Sequence, residues 1–174
     1  MSSTTRYRAM QRLNTLLLML LCLLPVAHAD DVTFADFDGT PRSIADYTGD
    51  GRWLVVMIWA HDCAICNREA ESYAQFHVAH ADKDARVLGI SLDGAANKAE
   101  AQAFIERNDL PFPNLIGEPV ATMMRYMNLT QEQFRGTPTI LLYDPSGQLR
   151  AAQPGAVPVS SIEAYIARNT SAAS

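Results

Sequence analysis

The feature that most constrains this chain is a Cys-x-x-Cys pair, Cys63 and Cys66, set just after the unbroken apolar run Trp53-Leu54-Val55-Val56-Met57-Ile58. A strand-length run with no polar alternation belongs in a sheet covered on both faces. From about Cys63 to Ala81 there is neither Gly nor Pro, and Cys66, Ala70, Tyr73, Ala74 and His77 recur at helical spacing, which predicts a long helix with one apolar stripe. A buried strand feeding a helix, with two sulfurs at the junction, restricts the architecture to a layered α/β domain.

The rest of the sequence extends this pattern. The turn-rich segment Ile44 to Gly51 precedes the first core strand, Arg86 to Leu92 reads as the next buried strand, and Asn97 to Asn108 as a helix ended by Asp109-Leu110-Pro111. Strand and helix in alternation imply a parallel sheet with right-handed crossovers. A short apolar stretch at Asn114-Leu115-Ile116 and a short helix near Val120 to Met127 follow. Thr139-Ile140-Leu141-Leu142-Tyr143 and Gln148 to Ala152 flank Asp144-Pro145-Ser146-Gly147, where Pro presets the turn and Gly supplies a positive φ, so a β-hairpin is expected. Ser160 or Ser161 is placed to cap a last helix through about Arg168, and the small polar tail from Asn169 to Ser174 is expected to fray.

The 174 residues suit one domain. Residues 1–29 stand apart: Arg6, Arg8 and Arg12, then the nine apolar residues Leu16 to Leu24, then Pro25-Val26-Ala27-His28-Ala29. Nine residues fall short of the roughly 18 to 20 that span a bilayer, and Ala27-x-Ala29 offers small residues at a cleavage site, so a secretory leader removed after Ala29 is expected, with Cys22 discarded along with it. Residues 30–174 then form the domain, with 11 basic and 19 acidic side chains, a net charge of -8. No basic run follows Arg12, which excludes nucleic acid as a partner.

Two cysteines three apart close too small a loop to staple a fold, so in an oxidising compartment they point to redox chemistry or to metal binding. At the first turn of a helix, the first sulfur meets unsatisfied backbone N–H groups and the positive helix end, which stabilise a thiolate. Cys63 is the expected nucleophile, and Cys66, one turn in, the sulfur that resolves the mixed disulfide. No second Cys pair completes a structural zinc cage. His61 with Cys63 and Cys66 makes a soft metal set, so a copper carrier is the alternative; Met57, Met123, Met124 and Met127 are also soft donors, although Met123 and Met127, at i and i+4, are expected to pack a core. His77 and His80 read as ordinary helix histidines. Pro138 in Gly136-Thr137-Pro138-Thr139 opens the penultimate strand, where a residue without an N–H needs a reason.

Trp59-Ala60 before Cys63-x-x-Cys66, and Thr137-Pro138 at the start of a hairpin strand, resemble the thioredoxin fold. Phe37-Asp38-Gly39, Asp46-Tyr47, Glu69, the strand Val87-Leu88-Gly89-Ile90-Ser91 and an extra helix-strand segment before Pro138 resemble its exported TlpA/ResA-like branch. The resemblance covers about residues 34 to 168. It implies a central mixed sheet flanked by helices, a cis Pro138 facing the cysteines, and a thiol-disulfide oxidoreductase whose only redox group is the Cys63–Cys66 disulfide, with no added cofactor. It further implies a periplasmic or secreted location and cysteine-containing exported proteins as partners, as in cytochrome c maturation. A membrane dithiol donor would feed a reductase, and no membrane span would remain after leader cleavage. Trp59, Thr137 and Pro138 become candidate substrate contacts. Met57 stands where thioredoxin has a buried proton-accepting Asp, so Glu69 is the candidate proton acceptor. A peroxidase reading would resemble the peroxiredoxins, which carry Thr three residues before the reactive Cys; here that residue is Ala60.

Overall fold

In the computed structural model, residues 34–171 are described; the expected leader, its boundary at residue 29 and the last three residues lie outside them. Seven strands form one sheet: β1 (Phe34–Asp36), β2 (Pro41–Arg42), β3 (Trp53–Trp59), β4 (Ala85–Ser91), β5 (Asn114–Ile116), β6 (Thr139–Tyr143) and β7 (Leu149–Pro154). Among the described residues the α-helices are α1 (Ala64–His80), α2 (Lys98–Arg107), α3 (Pro119–Thr130) and α4 (Val159–Ser171), with short 3-10 turns at Ile44–Tyr47 and Ala95–Asn97. The strand order is β2-β1-β5-β4-β3-β6-β7. β3, β4 and β5 run parallel, joined through α1 and α2, while β6 pairs antiparallel with β3 and β7 antiparallel with β6 on one side, and β1 pairs antiparallel with β5 on the other. This is the thioredoxin-like mixed sheet.

β3 is central, and all seven of its residues are buried, because successive side chains enter two different cores. Val55, Met57 and Trp59 pack with Cys66, Tyr73 and Phe76 of α1, Phe104 of α2 and Ile162 of α4. Leu54, Val56 and Ile58 pack with Leu88, Leu115, Leu141 and Tyr126 of α3. Coverage on both faces accounts for the absence of alternation in the sequence. In the β6–β7 turn, Asp144 accepts from the backbone N–H groups of Ser146 and Gln148 and from the Ser146 hydroxyl, with Gly147 at φ 86°.

Three expectations need correction. α4 starts at Val159, directly after Pro158, so Ser160 and Ser161 lie inside its first turn rather than capping it. Asn169 does not fray: its side chain bonds the Tyr165 carbonyl, and the neighbouring Thr170 hydroxyl bonds Ile166 and accepts from the Trp53 indole. Met127 is 43% exposed rather than part of a core, and Met124 59%, because Thr122 and Tyr126 form the buried stripe of α3. The strands β1 and β2 carry too few residues to show a period in the sequence.

Candidate active site

The C-terminal ends of β3 and β4 build the site. After Trp59 the chain makes a tight turn in which the Cys63 N–H donates to the Ala60 carbonyl at 3.1 Å. Cys63 is the N-cap of α1, with extended backbone (φ -73°, ψ 104°), and its sulfur accepts the Cys66 N–H at 3.0 Å. A thiolate there would meet that donor and the helix end, both of which favour the charged form. Cys63 and Cys66 are disulfide-bonded, with Cα atoms 5.2 Å apart. Cys66 is fully buried and Cys63 half-buried, with exposed Ala64 and Ile65 between them. The Cys63 carbonyl also accepts from both nitrogens of Asn67, whose side-chain oxygen takes a bond from Arg107 at the end of α2. The first turn of α1 is thus tied to the neighbouring helix.

The Thr137–Pro138 peptide is cis. β6 runs antiparallel to β3 with Thr139 opposite Ile58, so the strand that follows Pro138 starts beside the C-terminal end of β3, the end that leads into the Cys63 turn. Pro138 is buried, and its carbonyl accepts the Gly155 N–H at 2.8 Å. Thr137 is half-buried. Glu69 lies on α1 one turn beyond Cys66 and is half-buried. Near it, Tyr73 has its hydroxyl held neutral well above the usual range, by burial first and by the Glu69 charge second.

Trp59 presents no surface to a substrate in this structure. It is completely buried, its ring stacks on Phe104 at 4.3 Å, and its indole N–H donates to Asn114 Oδ1 at 3.2 Å. It supports the site from below, and aromatic size at the end of a strand did not separate that role from a binding one.

Sequence reading missed Asp93. Two residues past β4 it is buried, one carboxylate oxygen accepting the His61 backbone N–H at 3.0 Å and the Ser91 hydroxyl at 2.6 Å. The other lies 2.6 Å from His61 Nδ1. That pairing raises the His61 pKa, chiefly through the hydrogen bond to Asp93 and despite some burial, with the charges of Asp93, Asp62 and Glu100 adding to it. The available signal was position, since the C-terminal ends of adjacent parallel strands converge on one edge. His61 thus has its Nδ1 on Asp93 while both sulfurs are bonded to each other, and among the described residues no three His, Cys, Asp or Glu side chains gather as a metal site. His77 accepts the Val87 N–H, and His80 pairs with Asp84 and Glu163.

Among the described residues no helix is long and apolar enough to cross a membrane. Solved structures that share the fold include the following three. A secreted disulfide oxidoreductase of Mycobacterium tuberculosis homologous to E. coli DsbE is 21% identical, covering 82% of this chain and 99% of its own, at TM-score 0.61. A DsbF homologue of Corynebacterium diphtheriae is 23% identical over 79% of this chain and 85% of its own, at TM-score 0.65. StoA of Bacillus subtilis is 19% identical over 76% and 93%, at TM-score 0.59. Alkyl hydroperoxide reductase C of Mycobacterium tuberculosis is 35% identical over 69 residues, 37% of this chain and 34% of the relative. The chain thus spans about a third of the length of the curated relatives it matches. The AhpC/TSA family matches residues 25–152, a stretch that holds the dithiol turn, the buried Asp93 and the cis-proline strand. With that match running through the whole site, the chain belongs to the AhpC/TSA family.

Proposed function

We propose that the protein works outside the cytoplasm, in the periplasm or secreted, as a reductase of disulfides in exported cysteine-containing proteins, cytochrome c maturation being one such process. One observation carries the reading: a half-buried sulfur at a helix N-terminus bonded to a fully buried sulfur one turn in. Such a pair supports attack by Cys63 and resolution by Cys66, and the disulfide is itself the redox group, so no further cofactor is required. A membrane dithiol donor would return the electrons. The leader-like sequence of residues 1–29 supports export.

The equilibrium potential of the Cys63/Cys66 couple in a thiol redox buffer tests the direction. A value near about -270 mV supports a reductase, whereas one near about -120 mV makes the protein a disulfide donor.

The match to alkyl hydroperoxide reductase C favours a second reading, reduction of hydroperoxides at Cys63. Against it, Ala60 offers no hydroxyl three residues before the nucleophile. Loss of hydroperoxide on adding the reduced protein, faster than with the Cys63→Ser variant, would move that reading into first place.

A further inference from the structure

We propose that His61, clamped by the buried Asp93, is the general acid and base of Cys63, and that Asp93 is its positioning residue. The inference rests on the dithiol-exchange reading and assigns its proton transfers.

Asp93 is 7% exposed, and an ionised carboxylate so far from water is costly unless fully bonded. Its partners are the His61 N–H, His61 Nδ1 and the Ser91 hydroxyl, and its own backbone N–H donates back to Ser91 Oγ at 3.0 Å. A carboxylate needed only to tie down the loop would be served by the backbone N–H. The 2.6 Å contact to Nδ1 instead anchors the ring, as a carboxylate orients the histidine of a nucleophile–base–carboxylate triad. With Nδ1 committed, Nε2 is the nitrogen left to exchange protons, on a side chain 30% exposed. The turn closed by Cys63 N–H and the Ala60 carbonyl places His61 two residues before the nucleophile, and two residues span at most about 7 Å of backbone. The charged groups acting on the ring are Asp93 from the β4–α2 segment, Asp62 beside it and Glu100 from α2, all acidic and all favouring the imidazolium.

In the reduced protein the Cys63 thiol passes its proton to His61 Nε2, leaving a thiolate beside an imidazolium. The thiolate attacks a client disulfide: the bond from Cys63 to one client sulfur forms and the client S–S bond breaks. The departing sulfur takes the proton from Nε2, which returns His61 to neutral. Cys66, once deprotonated, then displaces the remaining client sulfur, forming the Cys63–Cys66 disulfide. The two electrons of the dithiol end on the client, whose second sulfur leaves with the proton that Cys66 gave up.

The test compares the His61 ring titration, followed by NMR, in the oxidised and reduced wild-type protein. A neighbouring thiolate exists only in the reduced form, so the reduced midpoint should lie above the oxidised one by about one pH unit. Asp93→Asn should lower the oxidised midpoint. In parallel, Cys63 alkylation at pH 6 should slow about tenfold in His61→Gln, the equivalent of one pKa unit. Equal midpoints in both redox states, or unchanged alkylation in a folded His61→Gln variant, overturn the proposal. Exchange of the reduced wild type with glutathione disulfide reads the underlying function separately: a shifted midpoint without exchange keeps the dyad and sinks the reductase reading.

Discussion

Cys63 and Cys66 differ in exposure and in place on the helix, and the division of labour proposed for them rests on both. Cys63 is half-buried at the N-cap and Cys66 is fully buried. Cys66→Ser should therefore accumulate a mixed disulfide with client proteins through Cys63, visible on non-reducing gels, while Cys63→Ser should trap none. Equal trapping by the two variants would overturn the assignment. Resolution needs the Cys66 proton removed, and Met57, fully buried below, cannot take it. Glu69, half-buried one turn along α1, is the nearest carboxylate on the same helix face by spacing. Glu69→Gln should leave formation of the mixed disulfide unchanged in single-turnover kinetics and slow its resolution by at most about 10²-fold, the low end for general base catalysis. Resolution at the wild-type rate from pH 6 to 9 would leave Glu69 as an ordinary helix residue.

At the scale of elements, the contact between β4 and β5 depends on one missing side chain. A Cβ on Gly89 would stand 1.9 Å from Asn114 Oδ1 and 2.9 Å from the Trp59 indole nitrogen. Asn114 on β5 lies opposite Gly89 and reaches past it to β3, accepting from the Trp59 indole, while it donates to the Phe112 carbonyl. Gly89→Ala must push Asn114 aside and break that bridge, so a loss of about 1–3 kcal/mol is expected, the range for overpacking a filled core. The urea midpoint should fall with an unchanged slope. A midpoint within error of wild type would show that Asn114 relocates without loss. Periodicity marked β4 as buried, yet it carried no sign that its fifth residue must be Gly, because the reason lies on another strand.

Across the whole molecule, two histidines tilt the pH dependence of stability in opposite directions. His77 Nδ1 accepts the Val87 N–H at 3.1 Å between α1 and β4, and burial, helped by the positive charges of Arg52 and Arg86, lowers its pKa. Below the ordinary histidine value of about 6.5 the unfolded chain takes up a proton that the folded protein resists, so stability falls as pH drops toward the folded value. His61 is the reverse case, since its folded pKa is raised, mainly by the bond to Asp93. Its contribution is complete below about 6.5 and is lost as pH rises through the folded value. His77→Gln, which can still accept from Val87, should lose less stability between pH 7 and pH 5 than wild type in urea titrations. A larger loss in the variant would mean that His77 is not the acid-sensitive group.

What the sequence by itself determined was local. The six-residue apolar run, the Gly-free helix with sulfur at its head, and the Pro-Ser-Gly hairpin turn depend on neighbours a few residues away, and each stands in the structure within a residue or two of its expected limits. The resemblance carried by Trp59, Cys63, Cys66 and Pro138 added the cis peptide, which spacing alone does not encode. Tertiary structure decided whatever joins distant segments. Trp59 became a core residue because Phe104 and Asn114 close over it, and Met124 and Met127 face outward because the α3 stripe buries Tyr126 instead. Asp93 reached His61, 32 residues away, only because parallel pairing sets the ends of β3 and β4 side by side. Periodicity reports which face of an element is apolar; which side chains meet across the sheet is fixed by strand order and register, and those belong to the folded molecule.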